Sequence, residues 1–182
     1  MDASLLIPKT EELVVLLKEL GYNHASFDSE FKVIETSNKS ELLKGIVDGK
    51  RNKKKIIFIP KDEELLRFAI EKTEVDMILG VERVHPKESL HYIRSGLDQV
   101  LCKLAAEKKK IIAFSFNDIL NSGDRAKLIS RMMINIIICR KYGVKVYFGL
   151  FSKNKEEVRS VSDLFALWRV LGGRKKEELS WA

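Results

Sequence analysis

Apolar positions along the chain fall into two alternating patterns, short β-type runs and longer stretches with helical spacing. Residues 3–7 (Ala-Ser-Leu-Leu-Ile) read as a strand halted by Pro8. Between Lys9 and Leu20, the side chains of Leu13, Leu16, Leu17 and Leu20 share one helical stripe, and Gly21 supplies the stop. Tyr22 to Phe27 and Lys32 to Thr36 are short strand candidates, Ser40 to Val47 is a helix, and Lys55 to Ile59 is a strong strand closed by Pro60. Leu65, Leu66, Ala69 and Ile70 mark the next helix, and Val75 to Leu79 the next strand.

The second half repeats the alternation. From Leu90, the positions Ile93, Leu97, Val100, Leu101, Leu104 and Ala105 keep a helical period that predicts one helix through Glu107. Ile111 to Phe116 is a buried-strand run. Residues 124–141 form a long helix expected to turn Leu128, Ile129, Met132, Met133, Ile136 and Ile137 inward. Val144 to Leu150 is a strand. Ser160 to Leu171 closes the set, with Leu164, Leu167, Trp168 and Leu171 on one face, a capping box at Ser160 and Asp163, and Gly172-Gly173 at the end. This order predicts an α/β fold with mainly parallel strands. Such repetition over a single domain, 1–182, points to a TIM-barrel-like (β/α) barrel. It would be short or incomplete, since about 250 residues are typical. An open doubly wound sheet is the alternative.

Composition narrows the partners more than the fold. The 182 residues carry 33 Lys+Arg against 26 Asp+Glu, a net charge of +7, and 45% are hydrophobic. That is a folded, basic chain whose charge favours an anionic partner, with nucleic acid first. Its two cysteines, Cys102 and Cys139, each lie in an apolar stretch and read as buried thiols of a reducing compartment. The apolar run Met132 to Cys139 falls far short of the ~20 residues of a membrane span. Met1-Asp2-Ala3-Ser4 has no basic segment of a secretory signal, so the expected location is cytoplasmic, away from membranes.

Catalytic signatures fail one after another: no G-x-G-x-x-G, P-loop, G-x-S-x-G or H-E-x-x-H occurs. His24, His85 and His91 include no close pair. Asp2, Asp28, Glu82, His85 and Asp118 are the candidate metal ligands near strand ends, where such residues equally serve as turn residues and caps. The chain is therefore expected to hold neither a catalytic residue nor a metal of its own. Basic residues say more. Lys50, Arg51, Lys53, Lys54, Lys55 and Lys61 fall in a stretch without an acid, suited either to phosphates or to a solvated loop before a strand.

Arg94-Ser95-Gly96 is expected in the first turn of the Leu90–Glu107 helix, where a phosphate would meet free N–H groups and a planar guanidinium. The alternative is an Arg94–Asp98 pair at i,i+4. Arg159-Ser160 repeats the arrangement at the last helix. Arg125, Lys127, Arg131, Arg140 and Lys141 decorate the long helix as a solvated face, with Arg125 and Arg131 as further candidate RNA contacts. Phe27, Phe58, Phe114 and Phe116 sit on strands and read as core, so base stacking is not indicated. The pattern is that of a reader of shape and phosphate.

Four blocks together carry a resemblance. They are Tyr92-Ile93-Arg94-Ser95-Gly96-Leu97-Asp98-Gln99-Val100-Leu101, Ile111-Ile112-Ala113-Phe114-Ser115-Phe116, Asn135 through Cys139-Arg140-Lys141-Tyr142-Gly143-Val144, and Val158-Arg159-Ser160-Val161-Ser162-Asp163-Leu164. In this order the chain resembles the archaeal protein component 3 family of ribonuclease P, counterpart of the thirty-kilodalton eukaryotic subunit. The resemblance implies a TIM-barrel-like subunit of the RNA–protein endonuclease that removes the 5′ leader of precursor tRNA. It implies Mg2+ at the RNA subunit and no cofactor on this chain. It also implies other ribonuclease P proteins as partners, among them a small ferredoxin-like subunit, two copies of each forming a heterotetramer. Arg94 and Arg159 match the family's basic positions and lead the implied RNA contacts, with Ser95 and Ser160 beside them and Lys53, Lys54 and Lys55 as a weaker set. Val161 departs from the proline frequent in the family after the second Arg-Ser, and relatives often run beyond Leu171-Gly172-Gly173. The competing function is a stand-alone metal-dependent phosphoesterase on a related barrel.

Overall fold

The computed structural model describes residues 1–85, 94–174 and 176–180. Its elements run β1 (Asp2–Ser4), α1 (Glu11–Glu19), β2 (His24–Ser26), β3 (Phe31–Thr36), α2 (Lys39–Arg51), β4 (Lys55–Pro60), α3 (Glu63–Lys72) and β5 (Met77–Leu79). They continue with α4 (Gln99–Glu107), β6 (Ile111–Ser115), α5 (Phe116–Asn121), α6 (Arg125–Lys141), β7 (Lys145–Gly149) and α7 (Val161–Val170). Among the described residues no helix is long and apolar enough to cross a membrane.

Strands β3 to β7 form one sheet in sequence order, every neighbour parallel. A doubly wound sheet reverses its strand order at a switch point. None exists here, so that alternative is set aside. Strands β1 and β2 pair in parallel as a second, two-stranded sheet. The two sheets meet past the end of β7, where Leu5 bridges Ser152 and the Phe151 N–H donates to the Ser4 carbonyl at 2.7 Å. Among the described residues no ladder joins β2 to β3, so the closure of the barrel is incomplete.

Alternation along each strand gives the sheet two apolar faces. Phe31, Ile57, Met77, Leu79, Ala113 and Tyr147, drawn from successive strands, pack together with Phe151 just past β7 on the inner face. Within it the Tyr147 hydroxyl lies 2.6 Å from Ser4 Oγ and donates to the Asp2 carbonyl, tying β7 to β1. Ile56, Phe58, Ile78, Ile112, Phe114 and Phe148 face outward into a larger core beneath the helices. There Trp168 of α7 stacks on Phe148 with ring centroids 5.3 Å apart, worth about 0.5–1.5 kcal/mol beyond burial.

Three expectations are corrected. The helix predicted through Glu107 begins at Gln99, because Asp98 caps it by accepting from the Leu101 N–H at 2.7 Å. Leu97 is buried from the preceding loop, and Leu90 and Ile93 lie outside the described residues. Phe116 belongs to α5, since Ser115 Oγ accepts from Asp118 N and turns the chain out of β6. Finally, α6 is rotated from the expected facing. Met133 and Ile137 are exposed, whereas Arg131 and Asn135 join Leu128, Met132, Ile136 and Cys139 inside. Cys102 and Cys139 are both free and buried, as expected.

Candidate nucleic-acid interface

Parallel strands place all their C-terminal ends at one rim, where the chain after β5 and β7 together with α5 and the first turns of α6 lines a cleft of about 720 Å³. Arg83 and Asp118 form an ion pair on its wall. Glu157 accepts from the Lys153 and Asn154 N–H groups at 2.8 and 3.0 Å and from Asn121 Nδ2 at 3.0 Å. Burial works against it, yet these bonds hold its carboxyl below the usual glutamate range. Lys127 and Lys153 add positive charge to the lining.

At the floor lies Glu82, 1% exposed, with neither carboxylate oxygen hydrogen-bonded. Burial pushes its carboxyl up to about 7, and the neighbouring Asp118 charge adds to the effect. Arg131 runs beneath, 3% exposed, its Nη1 donating to the Glu82 carbonyl at 2.8 Å. Arg131 is thus a buried strut of the cleft, which corrects its reading as part of a solvated face. Among the described residues no three His, Cys, Asp or Glu side chains converge to hold a metal ion. Asp2 bonds to Ser180, Asp118 pairs with Arg83, and His85 lies 3.6 Å from Glu63.

Arg94, Ser95 and Gly96 occupy the loop before α4, and not its first turn. Gly96 has φ +108°, and a Cβ there would lie 1.9 Å from the Val81 carbonyl oxygen. The loop therefore lies directly on the chain that follows β5. Ser95 is buried, and its carbonyl accepts from Asn135 Nδ2 at 2.7 Å. Leu97 N donates to Asn135 Oδ1 at 3.3 Å. Arg94 alone of the three is exposed. The anion expected at this helix start is supplied by the chain itself, as Asp98.

Arg159 and Ser160 do stand at the start of α7. Ser160 Oγ accepts from Asp163 N at 3.1 Å and donates to Asp163 Oδ2 at 2.7 Å, which is the predicted cap. Arg159 is half-buried, with Nη1 donating to the carbonyls of Glu156 and Val158 at 2.7 and 2.9 Å. Tyr22 fixes its main chain through a 2.9 Å bond to the Arg159 carbonyl. Arg125 is exposed at the first position of α6, its Nη2 donating to the Leu120 carbonyl at 2.7 Å.

Arg94 and Arg159 precede, and Arg125 begins, helices that leave the C-terminal rim, so the fold gathers them at one end. Lys53, Lys54 and Lys55 immediately precede or begin β4 and lie at the opposite rim. The expected site is therefore two basic regions separated by the length of the strands, about 20 Å. Arg131 was expected as an exposed RNA contact and Glu82 only as a candidate metal ligand; their burial at the floor, and the part played by buried Asn135, were not legible. The signal available for Asn135 was a lone amide inside an apolar run, which demands a buried partner.

No protein-family model matches this chain. Among curated proteins it is similar to Ribonuclease P protein component 3 of Methanococcoides burtonii, 28% identical over 93% of this chain and 76% of that protein. The component 3 proteins of Methanosarcina barkeri and Methanocaldococcus jannaschii are 28% and 29% identical over 93% and 88% of this chain, and 77% and 78% of theirs. Among solved structures, a chain in archaeal ribonuclease P with mature tRNA superposes with a TM-score of 0.78 at 23% identity, over 98% of this chain and 86% of that one. That likeness confirms the fold. Over roughly nine-tenths of its length the chain is thus similar to proteins named Ribonuclease P protein component 3.

Proposed function

We propose that this chain is a protein subunit of ribonuclease P, the RNA–protein endonuclease that removes the 5′ leader of precursor tRNA. The observation that supports it best is similarity to named components of that enzyme over 93% of the chain. In this reading the chain contacts the ribonuclease P RNA through the C-terminal rim. Arg94, Arg125 and Arg159 meet phosphates there, helped by Lys127 and Lys153 on the cleft. Ser95 and Ser160 shape the loops that carry the two arginines, and Arg131 supports the floor. Lys53, Lys54 and Lys55 form a second basic region.

Such contacts supply affinity that falls with salt and stabilise folded RNA without chemistry on the protein. Bond cleavage then belongs to Mg2+ ions held by the RNA, and this chain supplies no catalytic group. A small ferredoxin-like subunit, paired with this chain as a heterotetramer of two copies each, completes the assembly, in the cytoplasm. The test is binding of the purified chain to transcribed ribonuclease P RNA and to an unrelated RNA of equal length. Preference for the first, with steep salt dependence, is expected; equal affinity for both would contradict the proposal.

A further inference from the structure

Helices α1, α2, α4, α6 and α7 all end in the same hydrogen-bonded way. The N–H two residues past the last helical position bonds three residues back, and the next N–H bonds five back. This motif needs a left-handed residue at its turn, a position that favours glycine because a Cβ is strained there. Gly21, Gly143 and Gly172 occupy it after α1, α6 and α7. After α2 and α4 the residue is lysine: Lys53 and Lys109, each with φ +53°.

Helix-dipole stabilisation does not explain these two residues. A lysine within the last turn serves the dipole without strain, as Lys50 and Arg51 do in α2. The sheet places the two strained lysines near one another. They precede β4 and β6, the two neighbours of β5, so their strand starts lie about 10 Å apart along the N-terminal rim. Lys54, Lys55, Lys108 and Lys145 surround them, the last opposite Ile111 in the β6–β7 register. Lys53 and Lys109 are exposed. Of the nearby acids, Glu74 pairs with Lys50, Asp48 with Lys32 and Glu107 with Lys108, while Asp76 accepts from the Ile56 N–H and places its charge beside Lys110.

We infer that the N-terminal rim is a second RNA-binding face, in which Lys53 and Lys109 hold left-handed backbone positions so that their ammonium groups contact phosphates of the RNA backbone. A row of compact point charges on a polar rim suits a sequence-independent polyanion contact. Backbone strain retained at an exposed position is a mark of function over stability. The inference rests on the reading of this chain as an RNA-binding subunit; it adds Lys109 to the second basic region and gives the backbone of Lys53 and Lys109 a part in the contact.

The experiment is the double variant Lys53→Gly, Lys109→Gly in the full chain, with Lys53→Arg, Lys109→Arg as the charge-preserving control. Glycine relieves the strain, so Tm should stay level or rise by a few degrees. Affinity for the transcribed ribonuclease P RNA should fall several-fold in the glycine variant. The slope of log affinity against log salt should flatten by roughly one to two, for two lost phosphate contacts. The arginine variant should keep affinity and slope. RNA affinity and slope unchanged in the glycine variant would overturn the inference while leaving the subunit reading intact, including where only binding to an acidic protein partner is lost. A wild-type chain that binds no RNA would overturn both.

Discussion

Asn135, buried within α6, holds Ser95 by its main chain: Nδ2 donates to the Ser95 carbonyl at 2.7 Å while Oδ1 accepts from the Leu97 N–H at 3.3 Å. One amide thereby sets the position from which Arg94 reaches solvent. Asn135→Ala leaves both loop groups buried without a partner and should cost about 1–3 kcal/mol. Urea denaturation measures this, and the same variant should weaken RNA binding although Asn135 itself is inaccessible.

Gly96→Ala meets a harder obstacle, because its Cβ would fall 1.9 Å from the Val81 carbonyl oxygen at a backbone angle of +108°. Backbone must move against backbone. A loss of about 3 kcal/mol or more is expected. For a chain of this size that lowers Tm by roughly 6–12 °C, readable by calorimetry.

Glu82 makes stability depend on pH. Its folded carboxyl titrates near 7, above the ordinary glutamate value, so the folded state holds a proton that the unfolded state has released. The contribution is therefore fully present below the unfolded value, near 4.5. It is lost as pH rises through about 7. Glu82→Gln removes this loss and should stabilise the protein at pH 8 relative to pH 5, by up to about 3 kcal/mol in the wild-type–variant difference. Unfolding curves at both pH values check it; a difference independent of pH would contradict the assignment.

Arg94 and Arg131 should separate contact from support. Arg94→Ala should leave Tm nearly unchanged and flatten the salt dependence of RNA binding by about one. Arg131→Met removes a buried bond to the Glu82 carbonyl and should lower stability by about 1–3 kcal/mol with little change of slope.

The strand–helix order was legible because burial imposes its period on apolar residues, and Leu164, Trp168 and Leu171 lie inside as their spacing required. Three features were hidden for identifiable reasons. Leu97 continued a helical period by coincidence, since the helix starts only after it, at the Asp98 cap, and Gly96 before it is left-handed. In α6 the apolar residues nearly encircle the helix, so hydrophobicity could not say that Met133 and Ile137 face out while Arg131 and Asn135 face in. Arg94 and Arg159 stood out as Arg-Ser pairs at expected helix starts. That Lys53 and Arg94 lie at opposite rims follows only from the parallel register, a long-range fact that no local window contains.

Membership of the ribonuclease P assembly is tested most directly by reconstitution. Precursor-tRNA cleavage is followed with the RNA subunit and the remaining proteins, with and without this chain, across a Mg2+ series. Omission should lower the cleavage rate and raise the Mg2+ concentration required, with both restored when the chain is added back. A rate and Mg2+ requirement unaffected by its omission would show that the chain is no subunit of that enzyme.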